Sequence, residues 1–360
     1  SNGFIHANGA VEKNKLLQNL NSSKTEEQRL SSLVALSSFF LSEQQLDSAA
    51  IYLNEARRIT EQLTNSDITN VELSSAQVES LGKYYSTLGY YHFYRFERFD
   101  AIDAFEKAII YFTKANDKKN LADCMNNLAV LFKDIGDIEN AIAFNLRALE
   151  TYELINDIDG RLNVMFTLSV IYREQERLDH SLSLSNDVLA IYRKNNDKNG
   201  EAKVLNLIAG IQKDLGDTTS AMINYANALA IYKDLKNLSG QAKLMNNIGV
   251  LHKHWNEFDK ALEYFNAAFE ITVKQNHLIG QVYALENMAS VYFSKGEMEN
   301  ALQKLNDAQE LANAIGLSDL NMRIAHLYFN IFESLKDWAS ALEWHKRYTE
   351  IKDGIALEQL

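Results

Sequence analysis

The chain has 360 residues and a formal charge of −12, from 36 lysines and arginines against 48 aspartates and glutamates. So acidic a surface repels phosphate backbones and anionic headgroups, which sets nucleic acid and membrane surfaces aside as direct partners. One cysteine, Cys124, excludes a disulfide framework and a thiolate metal cage, and the absence of proline suits a chain that is helical nearly throughout.

From the N-terminus, Ser1-Asn2-Gly3 reads as the remnant of a cleaved tag and Asn8 to Leu20 as a capping helix, so residues 1–28 form a lead-in. Leu36, Ser37 and Phe40, followed by Ala49 and Ala56, open a first repeat within residues 29–80. The step from Ala49 to Ala101 is 52 residues, which predicts an insertion of about twelve residues over Thr64 to Ser75. From residue 81 the register runs on without a break. Ala101, Ala141, Ser181, Ala221, Ala261, Ala301 and Ala341 form one ladder at a 40-residue step; Ala108, Ala148, Val188, Ala228, Ala268 and Ala308 form another. Small residues at Gly89, Ala129, Ser169, Ala209, Gly249 and Ala289 give a third. Seven contiguous units follow: 81–120, 121–160, 161–200, 201–240, 241–280, 281–320 and 321–360.

Each unit divides into two helices. In one copy Leu121 to Ile135 has a helical apolar rhythm, Gly136-Asp137 breaks it, and Ile138 to Ile155 follows. Gly160, Gly200, Gly240 and Gly280 are expected to mark the joint after each second helix. Alanines seven apart on one face let two helices approach closely. The pattern Met125-x-x-Leu128-Ala129-x-x-Phe132, then Ala141 and Ala148, resembles the tetratricopeptide motif, in a long 40-residue variety that lacks the terminal proline. The resemblance implies an all-α, right-handed superhelical solenoid of about eight tandem helix-turn-helix repeats, with the first helix of each repeat lining the concave wall.

That wall supplies the candidate ligand-binding residues. One column reads Lys133, Arg173, Lys213 and Lys253, flanked by Phe93 and Phe293, with Asp134, Glu174, Asp214 and His254 beside it. A second reads Asn126, Asn206 and Asn246, a third Asn127, Asn247 and Asn287, and a fourth Lys83, Lys203, Lys243 and Arg323. An asparagine amide both donates and accepts, so it can pair with the peptide bond of an extended ligand. The Asn126–Ala129 and Asn246–Gly249 stretches resemble those with which such families hold peptides. The cations would favour an acidic ligand or a carboxyl terminus, or else merely neutralise the adjacent acids. Within the aromatic stretch 84–99, Tyr90, Phe93 and Tyr94 would form an anchor pocket, or pack against a neighbouring repeat. Trp338, Trp344 and Tyr348 are expected to seal the last repeat or to face a continuation of the chain.

No P-loop, dinucleotide glycine fingerprint or HExxH is present, so no catalytic residue, metal site or cofactor is expected. His92 and His252 stand on the aromatic rung, and Cys124 reads as a packed thiol. The expected role is a non-catalytic protein- or peptide-binding module with no membrane contact in this segment, which could also self-associate. The closing stretch Tyr348 to Asp353, running into Glu358, resembles the tail of arrays in bacterial histidine kinases and transcription regulators. That favours a sensor segment of a larger bacterial signal-transduction protein outside the inner membrane, with a chain extending beyond both ends. The alternative is a stand-alone cytoplasmic scaffold or an intracellular peptide-pheromone receptor.

Overall fold

The structure, a computed structural model, describes residues 2–65 and 73–358; Ser1 of the expected tag remnant, residues 66–72 of the expected insertion, and 359–360 lie outside them. Regular structure among the described residues is seventeen α-helices and no strand. Helix α1 (Asn2–Ser22) precedes eight consecutive pairs of A and B helices: α2 (Glu26–Ser42) and α3 (Leu46–Asn65); α4 (Ser75–Tyr94) and α5 (Arg98–Ala115); α6 (Lys118–Asp134) and α7 (Ile138–Leu154); α8 (Ile158–Glu174) and α9 (Leu178–Lys194); α10 (Lys198–Asp214) and α11 (Thr218–Asp234); α12 (Leu238–His254) and α13 (Phe258–Lys274); α14 (Leu278–Lys295) and α15 (Met298–Ile315); α16 (Ser318–Ser334) and α17 (Trp338–Glu358). The chain is an all-α helical-repeat solenoid.

Two compact units divide it, Ser1–Ile171 and Tyr172–Leu360. In the first, α2 packs on α3 and α4, α4 on α5, α5 on α6 and α6 on α7. In the second, A-helices pack on their own B-helices from α10 on α11 to α16 on α17, and α14 touches both α12 and α16. The alanine ladder is why the pairs close: Ala101, Ala141, Ala221, Ala261 and Ala301 are all fully buried. The third ladder sets the size of the opposing rung. A Cβ on Gly89 would lie 2.9 Å from the Phe105 ring, and one on Gly249 would lie 2.6 Å from Phe265. Ala129 replaces glycine in the α6–α7 pair, and the corresponding rung there is Asn145, buried with neither amide atom hydrogen-bonded.

The joints differ from the expectation. Gly160, Gly200, Gly240 and Gly280 lie inside α8, α10, α12 and α14, at the third helical residue. The chain reverses earlier, at Asn156, Asn196, Lys236 and Asn276, each with φ between 53° and 55°. The next residue caps the helix: Asp157 accepts from the Gly160 N–H at 2.9 Å, Asp197 from Gly200 at 2.9 Å, Asn237 from Gly240 at 2.9 Å, and His277 Nδ1 from Gly280 at 3.1 Å. The glycines make room. A Cβ on Gly160 would lie 2.1 Å from the Tyr152 ring, and on Gly240 2.5 Å from Tyr232. Gly136, at φ 83°, does serve as the expected break between A and B helices, and Gly216 and Gly296, at 85° and 79°, repeat it. At the far end, Trp344 stacks on Tyr328 at 4.0 Å and Tyr348 lies against His326, but Trp338 is 64% exposed and seals nothing.

Candidate functional site

The predicted columns fall on the A-helices, and their partners separate them. The first cation column is largely neutralised where it stands. Lys133 reaches Asp134 at 2.5 Å, while Asp214 accepts from Arg173 Nε at 2.6 Å and lies 3.3 Å from Lys213. Gly210 leaves space for that guanidinium; a Cβ there would come within 2.6 Å of it. Lys253 donates to Ser290 Oγ, and burial holds its ammonium below the usual lysine range. Lys83 pairs with Glu79 at 2.5 Å.

In the first unit the aromatic stretch takes up part of the asparagine set. Asn127 Nδ2 donates to the Tyr90 hydroxyl at 2.7 Å, and Tyr90 packs edge-on against Phe105. Tyr90 and Tyr94 line a groove of about 480 Å³ with Val34, Ser38, Lys83 and Thr87. Phe93 does not line that groove; it packs against the core around Phe105, with the Tyr94 ring edge-on to it at 5.8 Å. Asn126 keeps its Oδ1 buried and unpaired. Nearby, burial pushes the Cys124 thiol up to about 12, so it stays protonated and inert.

In the second unit the columns converge on a pocket of about 630 Å³. Lys243, Asn246, Asn247 and Val250 come from α12; Ile279, Tyr283 and Asn287 from α14; Thr272 and Gln275 from the end of α13 and the turn after it; His277 caps α14; and Arg323 comes from α16. Asn247 Nδ2 donates to Asn206 Oδ1 at 2.7 Å, joining α12 to α10. Asn246 Oδ1 is buried with no hydrogen-bond partner. Arg323 lies 5.0 Å above the Tyr283 ring and pairs with Glu286 at 2.8 Å. Burial raises the Glu286 carboxyl and the Arg323 charge opposes that rise. Lys203, on the preceding A-helix, is held below the usual lysine range by desolvation first and by the Lys243 charge second. The sequence columns therefore supply Lys243, Asn246, Asn247, Asn287 and Arg323; Tyr283, His277 and Gln275 were not foreseen. Tyr283 occupies the fourth-column position between Lys243 and Arg323, and that break in the column was the available signal.

One group among the described residues has metal-ligand spacing: atoms of His92, Glu97 and Asp100 lie within 4.8 Å of one another. Glu97 is already engaged by His92 Nδ1 at 2.6 Å and by Arg95 at 2.7 Å. His252 and Glu257 repeat the contact at 2.6 Å, with Lys260 where Asp100 stands, so the His–Glu pair serves as a clasp on the A–B turn. No helix among the described residues is long and apolar enough to cross a membrane.

Comparison with known proteins agrees with the geometry. Residues 121–159 and 200–272 each match a tetratricopeptide repeat model. No curated protein matches the sequence significantly. Among solved structures, a Rap protein complexed with competence and sporulation factor superposes with a TM-score of 0.69 at 15% identity, over 98% of this chain and 99% of that one. NprR in complex with its cognate peptide NprX gives 0.68 at 14% identity, and the apo quorum sensor NprR from B. thuringiensis 0.70 at 14%, each over 94% of this chain and 92% of the other. At such identities the likeness is one of fold. Both family matches lie on A–B helical pairs, α6–α7 and α10–α13, so these stretches of the solenoid are tetratricopeptide repeats.

Proposed function

We propose that this is a non-catalytic peptide-binding module whose ligand lies extended along the A-helix face of the second unit, anchored at the pocket between α12 and α14. The observation that carries this is the Asn246 carbonyl. A buried amide oxygen without a donor costs about 1–3 kcal/mol, and a peptide N–H would satisfy it. Asn247 and Asn287 lie beside it, and the apolar surfaces of Val250, Ile279 and Tyr283 would take a side chain. Two peptide complexes, of a Rap protein and of NprR, share the fold over nearly their whole length, which supports the same class of ligand here.

Of the two settings considered for such a module, the fold likeness to those complexes favours a peptide receptor inside the cell over an extracytoplasmic sensor segment. Cell fractionation of the natural protein decides between them. Binding itself is tested by titrating wild type and Asn246→Ala with a fluorescent pool of random octapeptides. The proposal expects saturable binding to wild type, weakened about tenfold by the substitution. No binding, or equal binding by both proteins, counts against it.

A further inference from the structure

We propose that the turn between α4 and α5 binds a divalent metal ion of the zinc class, held by the imidazole of His92 and the carboxylates of Glu97 and Asp100. The proposal stands apart from the peptide pocket. It begins with one exception to a repeated rule. An acid directly precedes the B-helix at Glu97, Asp137, Asp217, Glu257, Glu297 and Asp337. In five of these turns the residue three positions on supplies that acid with a donor. Asn140 and Asn300 give side-chain amides to Asp137 and Glu297 at 2.7 and 2.8 Å, and Ser340 gives its hydroxyl to Asp337 at 2.7 Å. Lys260 gives its ammonium to Glu257 at 3.1 Å, and Ser220 its backbone N–H to Asp217 at 3.0 Å. The sixth turn has Asp100 at that position, which brings a second carboxylate instead.

Two carboxylates brought together repel, and a cation placed between them removes that cost. The third group decides which cation. His92, in the last turn of α4, sets Nδ1 2.6 Å from Glu97 Oε2, and one ligand atom each from His92, Glu97 and Asp100 falls within 4.8 Å of the others. Imidazole and carboxylate together suit zinc and its neighbours, whereas magnesium and calcium prefer oxygen alone. Zinc bonds of about 2.0–2.2 Å place ligand atoms about 3.3 Å apart, so side-chain shifts of about 1 Å would close the set. His92 and Glu97 are half-buried and Asp100 is exposed, so water can complete the coordination from the solvent side. The second clasp is the internal control. His252 and Glu257 stand at the same 2.6 Å, and there the Lys260 ammonium already fills the place of the ion. Arg95, 2.7 Å from Glu97, partly neutralises that carboxylate and so limits the affinity.

Zinc titrated into wild type, Asp100→Lys, Lys260→Asp and Arg95→Gln by isothermal calorimetry tests the proposal. All three substituted side chains are exposed, and thermal unfolding without metal checks that each variant folds. Wild type should bind one more ion per chain than Asp100→Lys, with a dissociation constant on the order of 10 μM. Lys260→Asp, which gives the second clasp the same three ligands, should bind one ion more than wild type. Arg95→Gln should bind about tenfold more tightly than wild type. Equal stoichiometry in wild type and Asp100→Lys overturns the site, whatever the other histidines contribute. No gained ion in Lys260→Asp overturns the claim that an acid at this position completes the set. Unchanged affinity in Arg95→Gln places the ion away from Glu97 and overturns the assignment of that ligand.

Discussion

The Asn-Asn-Leu-Ala stretch of α6 and the Asn-Asn-Ile-Gly stretch of α12 occupy equivalent positions in two repeats of one scaffold, and their surroundings separate them. Asn126 and Asn246 each keep a buried, unpaired Oδ1. Asn127 is bound to the Tyr90 hydroxyl inside an aromatic cluster, whereas Asn247 links to Asn206 at the edge of an open, cation-lined pocket. A repeat motif therefore fixes where an amide stands, and the residues on the flanking helices decide whether a ligand can use it. The same helices serve as a support in one unit and as a candidate site in the other.

Both regions share one packing lock, a helical glycine under a tyrosine ring, and breaking that lock should have the largest effect. Gly160→Ala and Gly240→Ala each put a Cβ into a tyrosine ring, so each is expected to lose about 2 kcal/mol of stability in denaturant unfolding. Gly160→Ala should be the worse, since its contact is the shorter. A gain of about 1 kcal/mol, as helix propensity alone would give, refutes the lock. The asparagines themselves come next. Asn246→Ala should weaken octapeptide binding about tenfold, or about 1.4 kcal/mol, while Asn126→Ala leaves it within about twofold. Neither should lower stability, because each removes an oxygen that is buried and unpaired. Equal losses of affinity would erase the distinction between the two regions.

Tyr90→Phe should cost about 1 kcal/mol by leaving the Asn127 amide without its acceptor, read by thermal unfolding. The smallest effect concerns the caps. Asp157 caps α8 where Asn237 caps α12, and its carboxyl is held low by the Gly160 N–H first and by Lys119 second. A depressed folded pKa adds stability above the unfolded aspartate pKa of about 3.9, and that stability is lost as pH falls through the folded value. Asp157→Asn should therefore lose less stability than wild type on acidification below about pH 4, measured by denaturant midpoints. A parallel pH dependence in the two proteins would contradict the assignment.

The period was legible because close helix packing tolerates only small residues at fixed rungs, and Ala101, Ala141 and Ala221 repeat at a constant step. The role of Gly160 was not legible from the glycine alone. It serves space rather than chain reversal, and its signal is the tyrosine eight residues earlier, repeated as Tyr192 before Gly200 and Tyr232 before Gly240. The reversal falls on asparagine, which tolerates the left-handed region, at Asn156, Asn196 and Asn276, and on Lys236 in the fourth joint. The asparagine columns were readable as a face. The pocket was not, because it needs Arg323 from two A-helices away and Gln275 from beyond the end of a B-helix. The columns showed an acid beside Lys133, Arg173 and Lys213, but not the pairing of Arg173 with Asp214, one repeat and one residue further on.

The most direct test of the central claim is to photo-crosslink a diazirine-bearing octapeptide pool to the wild-type protein and map the modified residues by mass spectrometry. Crosslinks concentrated on α12, α14 and Arg323, and competed away by unlabelled pool, are the predicted result. Crosslinks confined to the B-helices, or to the aromatic groove of the first unit, would contradict it.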